Sequence, residues 1–457
     1  MTATIRSVSP QRPDDVVIDV SASSAAVVES AVDRARGAQR EWARAGAARV
    51  VALVAAADAV RKASSELVEL VVREVGKPRA EAAAEVARTE AILRYYAQQI
   101  YDPEGAVHLA SPPRSFALTR RQAHGVAGLV TPWNFPLAIP VWKAAPALAF
   151  GNAVVLKPAP AATACALALG ELLAAQLPDA LLQVLPGDAE AGEALVAQVD
   201  VVSFTGSAAV GRAVVRAAAE TGVPVQCELG GQNPAIVLDD VDIEAVAQQL
   251  ARAAFGYAGQ KCTATRRVIV VGNAREFTDA LVTAVNALPL GDPGAAETVV
   301  GPVITASARD RVRDVAASAV RDGGRVLTRR TVPDSAGWYV PPTIVDNVPP
   351  GHEMLRDEVF GPICAVIAAP SVTEAVDIAN AVPYGLTAGV YTRDLTAVMD
   401  VAGRLRAGQV KINAPTTGVD FHLPFGGTKA SSYGPREQGK AAADFYTTTQ
   451  TITVAAP

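Results

Sequence analysis

The sequence predicts an α/β protein with mostly parallel strands, built as two successive strand–helix series behind a helical N-terminal region. Three observations carry that prediction. Residues 25–98 are dominated by alanine, leucine, glutamate and arginine, and apolar positions return every three or four residues, the helical period. From about residue 126, short apolar runs alternate with long alanine-rich stretches, and strands alternating with helices build parallel sheets. After Gly231 a second series of the same kind begins.

Taken in order, the helical region is interrupted at Gly76-Lys77-Pro78, which ends one helix. The first strand series is 125–130, 153–156, 181–185 and 199–204. These close on Thr131-Pro132, Lys157-Pro158, Pro186-Gly187 and Thr205-Gly206, and residues 223–228 read as a further strand running into Gly230-Gly231. The second series offers 235–238, 267–271 and 363–367, with a helix from near Asp242 to about Gly256. Residues 445–454 are threonine-rich and β-prone, and 115–122 is the expected partner, giving a small sheet suited to a subunit contact. No internal repeat or low-complexity linker is visible.

Bulk properties narrow the function. A chain of 457 residues suggests two to four domains. Half of it is hydrophobic, so a large core is within reach. The net charge of −5, with both signs interspersed, leaves no basic footprint for nucleic acid or for a membrane surface. No uncharged apolar run reaches about 18 residues, and the first 15 residues lack the apolar core of a secretory leader. Cys165, Cys227, Cys262 and Cys364 form no CxxC pair, which fits a reducing cytoplasm. The four histidines are equally scattered, so no metal site is expected.

Four places can carry chemistry. Cys262 follows Gly259-Gln260-Lys261 beyond a helix end, on irregular backbone that a substrate can reach. Lys261 and backbone dipoles there would favour a thiolate nucleophile, and a buried structural cysteine is the competing reading. Glu228 stands at the C-terminal end of its strand, where ligand crevices of open α/β sheets lie, and burial there would make it a base. A solvated strand-end glutamate competes. The run from Phe204 to Arg212 turns a strand through Gly206 and Ser207 into a helix, whose free N–H groups can hold a pyrophosphate. An ordinary tight turn competes. In Thr131-Pro132-Trp133-Asn134-Phe135-Pro136 two prolines stiffen the loop, and the Asn134 amide can donate to an oxyanion or serve as a turn residue.

Together and in this order, these pieces closely resemble the aldehyde dehydrogenase superfamily, over nearly the whole chain. The match includes PWNFP (132–136), Lys157-Pro158, FTGSxxxG (204–211), ELGG (228–231), GQKC (259–262), EVFGP (358–362), Asn380 with Tyr384-Gly385-Leu386, and PFGGxK (424–429). The resemblance implies a Rossmann-like cofactor domain (1–112 and 124–230), a catalytic α/β domain (231–435) and an oligomerisation arm (113–123 and 436–457) joining a homodimer or homotetramer. It implies Cys262 as nucleophile, Asn134 and the Cys262 N–H as oxyanion donors, and Glu228 as activator of the hydrolytic water. It also implies an NAD or NADP site, with Lys157 at the adenosine ribose and Gly206, Ser207 and Gly211 at the pyrophosphate. Glu358 would hold the nicotinamide ribose, with Phe360 and Trp133 nearby. A small-molecule aldehyde would leave as the acid. A thiol hydrolase or acyltransferase without a redox step, and a non-catalytic homologue, are the competing classes.

Two departures from the family pattern matter. Many NAD-preferring relatives carry a glutamate three residues after the Lys157 equivalent; here Pro160 stands there, which tilts the expectation to NADP. Ser431-Ser432-Tyr433-Gly434 replaces the commoner Ser-Gly-x-Gly. The stretch 418–439 resembles the α-ketoglutaric semialdehyde dehydrogenase branch, which implies a small carboxylated substrate such as α-ketoglutaric or succinic semialdehyde. Arg266 and Arg267, just past the Cys262 loop, are candidates to bind that carboxylate, against an ordinary ion-pairing or surface role.

Overall fold

The computed structural model describes residues 3–111 and 113–455. Its helical region is four helices, Ala25–Trp42, Ala48–Lys62, Ser64–Val75 and Arg79–Gln99. The predicted break is where Gly76 takes a left-handed φ of 65° and its N–H caps Val72, a conformation that glycine adopts without strain. The N-terminal hairpin of Thr4–Ser9 and Arg12–Ser21 was not anticipated. Its charged, half-exposed residues carry no strong strand signal, and tertiary bonds fix it: Ser7 Oγ donates to buried Glu74 at 2.7 Å.

Six strands form the first sheet, in the order Ser432–Tyr433, Val225–Glu228, Val201–Thr205, Val126–Thr131, Ala153–Pro158 and Leu182–Val184. All pairs are parallel except the first. The four strands expected from apolar runs and the one expected before Gly230 are all present. The three central ones, Val126–Thr131, Ala153–Pro158 and Val201–Thr205, are buried on both faces, the pattern that parallel strands covered by helices require. One short strand reaches this sheet from late in the chain: Ser432 pairs with Glu228.

The second sheet has seven strands: Arg325–Val326, Thr343–Asp346, Ile363–Ala369, Thr265–Val271, Asn233–Val237, Thr387–Tyr391 and Gln409–Ile412. Thr265–Val271 and Asn233–Val237 sit at its centre, so the segments that start next to Gly231 and next to Cys262 lie side by side. Separate apolar cores fill the two sheets' surroundings. The expected β arm exists: Thr447–Ala455 pairs antiparallel with Ser115–Ala123, which also pairs with Val107–Leu109. Among the described residues no helix is long and apolar enough to cross a membrane.

Candidate active site

The helix Ile243–Phe255 starts on an Asp242 cap and ends at Gly256. Tyr257, Ala258 and Gly259 then all take left-handed backbone conformations (φ 55°, 52° and 67°). Two of these are not glycine, so the turn is held by its surroundings. Gln260 supplies much of that hold: its amide donates to the Tyr257 and Pro302 carbonyls at 3.2 and 3.1 Å, and its Oε1 accepts from Ile304 N–H at 2.9 Å. Asn233 Nδ2 donates to the carbonyls of Cys262 and Ala264 at 2.8 and 2.9 Å. Asn134 Nδ2 reaches across from the proline-stiffened loop and donates to the Gln260 carbonyl at 3.0 Å.

Cys262 emerges from this clamp partly exposed, while the other three cysteines are buried. Its thiol is pushed well up, by burial first and then by the negative charges of Glu358, Glu228 and Glu437. Lys261 does not offset this. Its ammonium pairs with Glu81 at 2.8 Å, away from the sulfur, so the expectation that Lys261 favours a thiolate is corrected.

Glu228 ends its strand in register with Thr205 on one side and Ser432 on the other. Only 2% of it is exposed. Burial, then Glu437, drives its carboxyl well above the usual range, and the Ser432 hydroxyl bond with Lys143 and Arg436 opposes them. Ser432 Oγ donates to Oε2 at 2.6 Å, and Oε1 has no hydrogen-bond partner. Behind it lies a buried ion pair, Lys143 to Glu437 at 2.7 Å, with Lys143 also donating to Ser203 at 2.8 Å.

The predicted cofactor residues gather near the C-terminal ends of the first sheet's strands, the edge where such sheets bind ligands. At one end Lys157 donates to the Pro158 and Gly187 carbonyls at 2.9 and 3.1 Å, and burial lowers its ammonium to about 8. Pro160 opens a short exposed turn beside it. Gly206 N–H donates to the Glu228 carbonyl at 3.0 Å, and Ser207 caps the helix Ala208–Thr221. Gly211 faces inward, where a side chain would collide with Leu229, so its part is to let that helix close on the strand end. At the other end Glu358 Oε1 accepts from Gly231 N–H at 3.1 Å, and burial raises its carboxyl to about 6. Phe360 packs edge-on against Trp133, centroids 5.6 Å apart. A capped helix start, a buried carboxylate and an aromatic pair are the groups a dinucleotide needs.

The aldehyde dehydrogenase family model matches residues 1–452. The chain belongs to the aldehyde dehydrogenase family. It is similar to an α-ketoglutaric semialdehyde dehydrogenase of Bacillus subtilis, with 38% identity over 98% of this chain and 93% of that protein. Among solved structures it is similar to an NAD-dependent aldehyde dehydrogenase from Sinorhizobium meliloti (TM-score 0.95, 32% identity, 100% of this chain and 93% of that one). It is likewise similar to an NADP-dependent glyceraldehyde-3-phosphate dehydrogenase from Bacillus halodurans C-125 (TM-score 0.94, 30% identity, 99% and 96%). This aldehyde dehydrogenase is therefore an enzyme that oxidises aldehydes, and its solved neighbours include both an NAD-dependent and an NADP-dependent one.

The dehydrogenase's arginine pair is not a carboxylate site. Arg266 donates to the Gly361 carbonyl at 2.6 Å and to that of Gly259, and Arg267 to those of Gln232, Ile378 and Ala379. Both are buried struts, Arg266 under the Cys262 loop and Arg267 between Gln232 and the end of the helix Val372–Asn380, roles that two adjacent arginines at a strand start do not announce. Lys143, Glu437 and Ser432 were missed by sequence reasoning. A signal existed for the first: Lys143 is the lone charge in an otherwise apolar helix, Ala138–Ala149, and a buried lysine needs a partner.

Proposed function

We propose that this dehydrogenase oxidises aldehydes through a covalent Cys262 intermediate, with Glu228 as base and Asn134 as oxyanion donor. The observation that carries this reading is the clamped loop, which presents Cys262 beside a buried carboxylate whose Oε1 is unpartnered. Cys262 Sγ adds to the aldehyde carbon as its thiol proton passes to solvent water. The alkoxide that forms is met by the second Asn134 Nδ2 hydrogen and by the Cys262 N–H. The bound nicotinamide ring supplies the hydride acceptor. Hydrolysis follows at the Cys262 thioester, where Glu228, kept basic by burial, takes a proton from water. Lys157, Ser207 and Glu358, with Phe360 and Trp133, bind and orient the dinucleotide, and Gly206 and Gly211 shape its cradle.

A small semialdehyde with a distal carboxylate is the substrate class we favour. The Bacillus subtilis relative is named for such a substrate. One cation stands by the loop before Phe425: Lys411 donates to the carbonyls of Thr417, at 3.0 Å, and Gly418, and the charges of Asp420 and Arg88 act on it in opposite senses. With no carboxylate at Pro160 to repel a 2′-phosphate, NADP is the preferred cofactor. The arm leaves Val107, Leu109, Phe116 and Val454 exposed, which supports a homodimer or homotetramer built on it. Four free cysteines suit a reducing cytoplasm.

A panel of α-ketoglutaric semialdehyde, succinic semialdehyde, benzaldehyde and a long-chain aldehyde, each with NAD and NADP, tests the reading by reduced-nicotinamide absorbance. The highest kcat/KM is expected on a carboxylated semialdehyde with NADP. Equal or better turnover of the uncharged aldehydes would refute the substrate class. In the same assay Pro160→Glu should move selectivity towards NAD, and an unchanged ratio would clear Pro160 of that role.

A further inference from the structure

The two serines after Ala430 do different work. Ser431 ties backbone to backbone: its hydroxyl donates to the Gly230 carbonyl at 2.8 Å and accepts from Gly385 N–H at 2.9 Å. Ser432, the first residue of the strand Ser432–Tyr433, addresses a carboxylate instead. Its Oγ accepts from Gly427 N–H at 2.6 Å and donates to Glu228 Oε2 at 2.6 Å. The antiparallel register that sets Ser432 opposite Glu228 makes this bond a feature of the sheet. Gly426 closes over Oε1, where an added Cβ would come within 2.6 Å. In the commoner family pattern this position is glycine, which has no hydroxyl to give.

We propose that Ser432 is a positioning residue for the hydrolytic half-reaction: its hydroxyl holds Glu228 by one oxygen and leaves the other to take the proton of the attacking water. The proposal rests on Glu228 being the base. Water's O–H bond breaks as its oxygen bonds the thioester carbonyl carbon, and the proton goes to Oε1. The C–S bond then breaks, Cys262 leaves as thiolate, and the acid is released. A donor on Oε2 also favours the ionised carboxylate over its protonated form. The other charged or titratable groups facing Glu228 are Cys227 on its own strand, Cys262 on the nucleophile loop, Lys143 on the helix Ala138–Ala149, and Arg436 and Glu437 on the returning chain. Lys143 and Arg436 act with Ser432, while Glu437 and burial act against it.

Thioester decay after a single turnover, followed by rapid quench across pH, tests this in Ser432→Ala, Ser432→Thr and Glu228→Gln. Losing the donor should raise the ascending limb of the Ser432→Ala profile by about one pH unit. Hydrolysis below that limb should slow several-fold, with the rate of hydride transfer unchanged. Ser432→Thr, which restores a hydroxyl, should recover the native profile. A Ser432→Ala profile that superimposes on the native one overturns the proposal. So does a Ser432→Thr enzyme as impaired as the alanine variant, and if Ser432→Ala does not fold, Ser432→Thr decides alone by keeping or losing the native limb. Glu228→Gln tests the underlying reading separately: if it keeps the native limb, Glu228 is not the base, whatever Ser432 does.

Discussion

The two sides of the candidate active site are built on opposite principles. The Cys262 loop, 256–264, is held by neutral amides whose hydrogen bonds are nearly all met: Asn134, Asn233 and Gln260 together make seven bonds to backbone carbonyls and N–H groups. The base side, around Glu228, is a buried cluster of ionisable groups in which Oε1 of both Glu228 and Glu437 goes without a partner. Satisfied amides fix a position, because leaving any of them unpaired in the interior is costly. Under-satisfied buried carboxyls do the reverse: they hold a proton loosely defined between neighbours and gain from any water that enters. On the proposed reading, the contrast gives rigidity to the atom that is aimed and adjustability to the group that picks up and releases protons.

Variants on each side should separate these behaviours. Cys262→Ala removes the aimed atom itself. Acid formation should fall at least about a thousandfold, with the melting temperature and cofactor binding kept; substantial residual turnover would contradict covalent chemistry at this sulfur. Glu228→Gln should leave hydride transfer intact and stall the thioester, giving a burst of reduced cofactor and a steady state roughly a hundredfold or more slower. A native steady state without a burst would place the base elsewhere. Gln260→Ala acts through the clamp. With one buried acceptor and one buried donor group lost, local stability should drop by about 1–3 kcal/mol, read as faster amide exchange over 256–264, together with a partial fall in kcat. Unchanged exchange there would mean that the left-handed turn is held by other contacts.

The strands of the first sheet were legible because each is a short apolar run ended by proline or glycine, a local signal that parallel packing demands. The same holds for Gly76, whose left-handed backbone at a helix end is what glycine after an amphipathic run announces. The hairpin at 4–21 and the edge strand Gln409–Ile412 were not legible, since their partly exposed residues are ordered by neighbours instead of by their own pattern. Among site residues, motif order was enough to nominate Cys262, Glu228 and Asn134, which the fold brings to one region: Asn134 and Asn233 bond the Cys262 loop, and Glu228 acts on the Cys262 thiol. It misjudged Lys261 and the arginine pair, because adjacency in the chain says nothing about which way a side chain leaves the backbone. Glu81, from the fourth helix, claims the Lys261 charge, and backbone carbonyls claim Arg266 and Arg267.

By itself, then, the sequence determined the fold class and the family, and it singled out the groups proposed to react; all of this follows from local pattern and from the order of motifs. Only the tertiary structure decided their electrostatic state. Whether a thiol or carboxyl is pushed up or down depends on burial and on charges brought from distant parts of the chain, here Glu358, Glu437, Lys143 and the hydroxyl of Ser432.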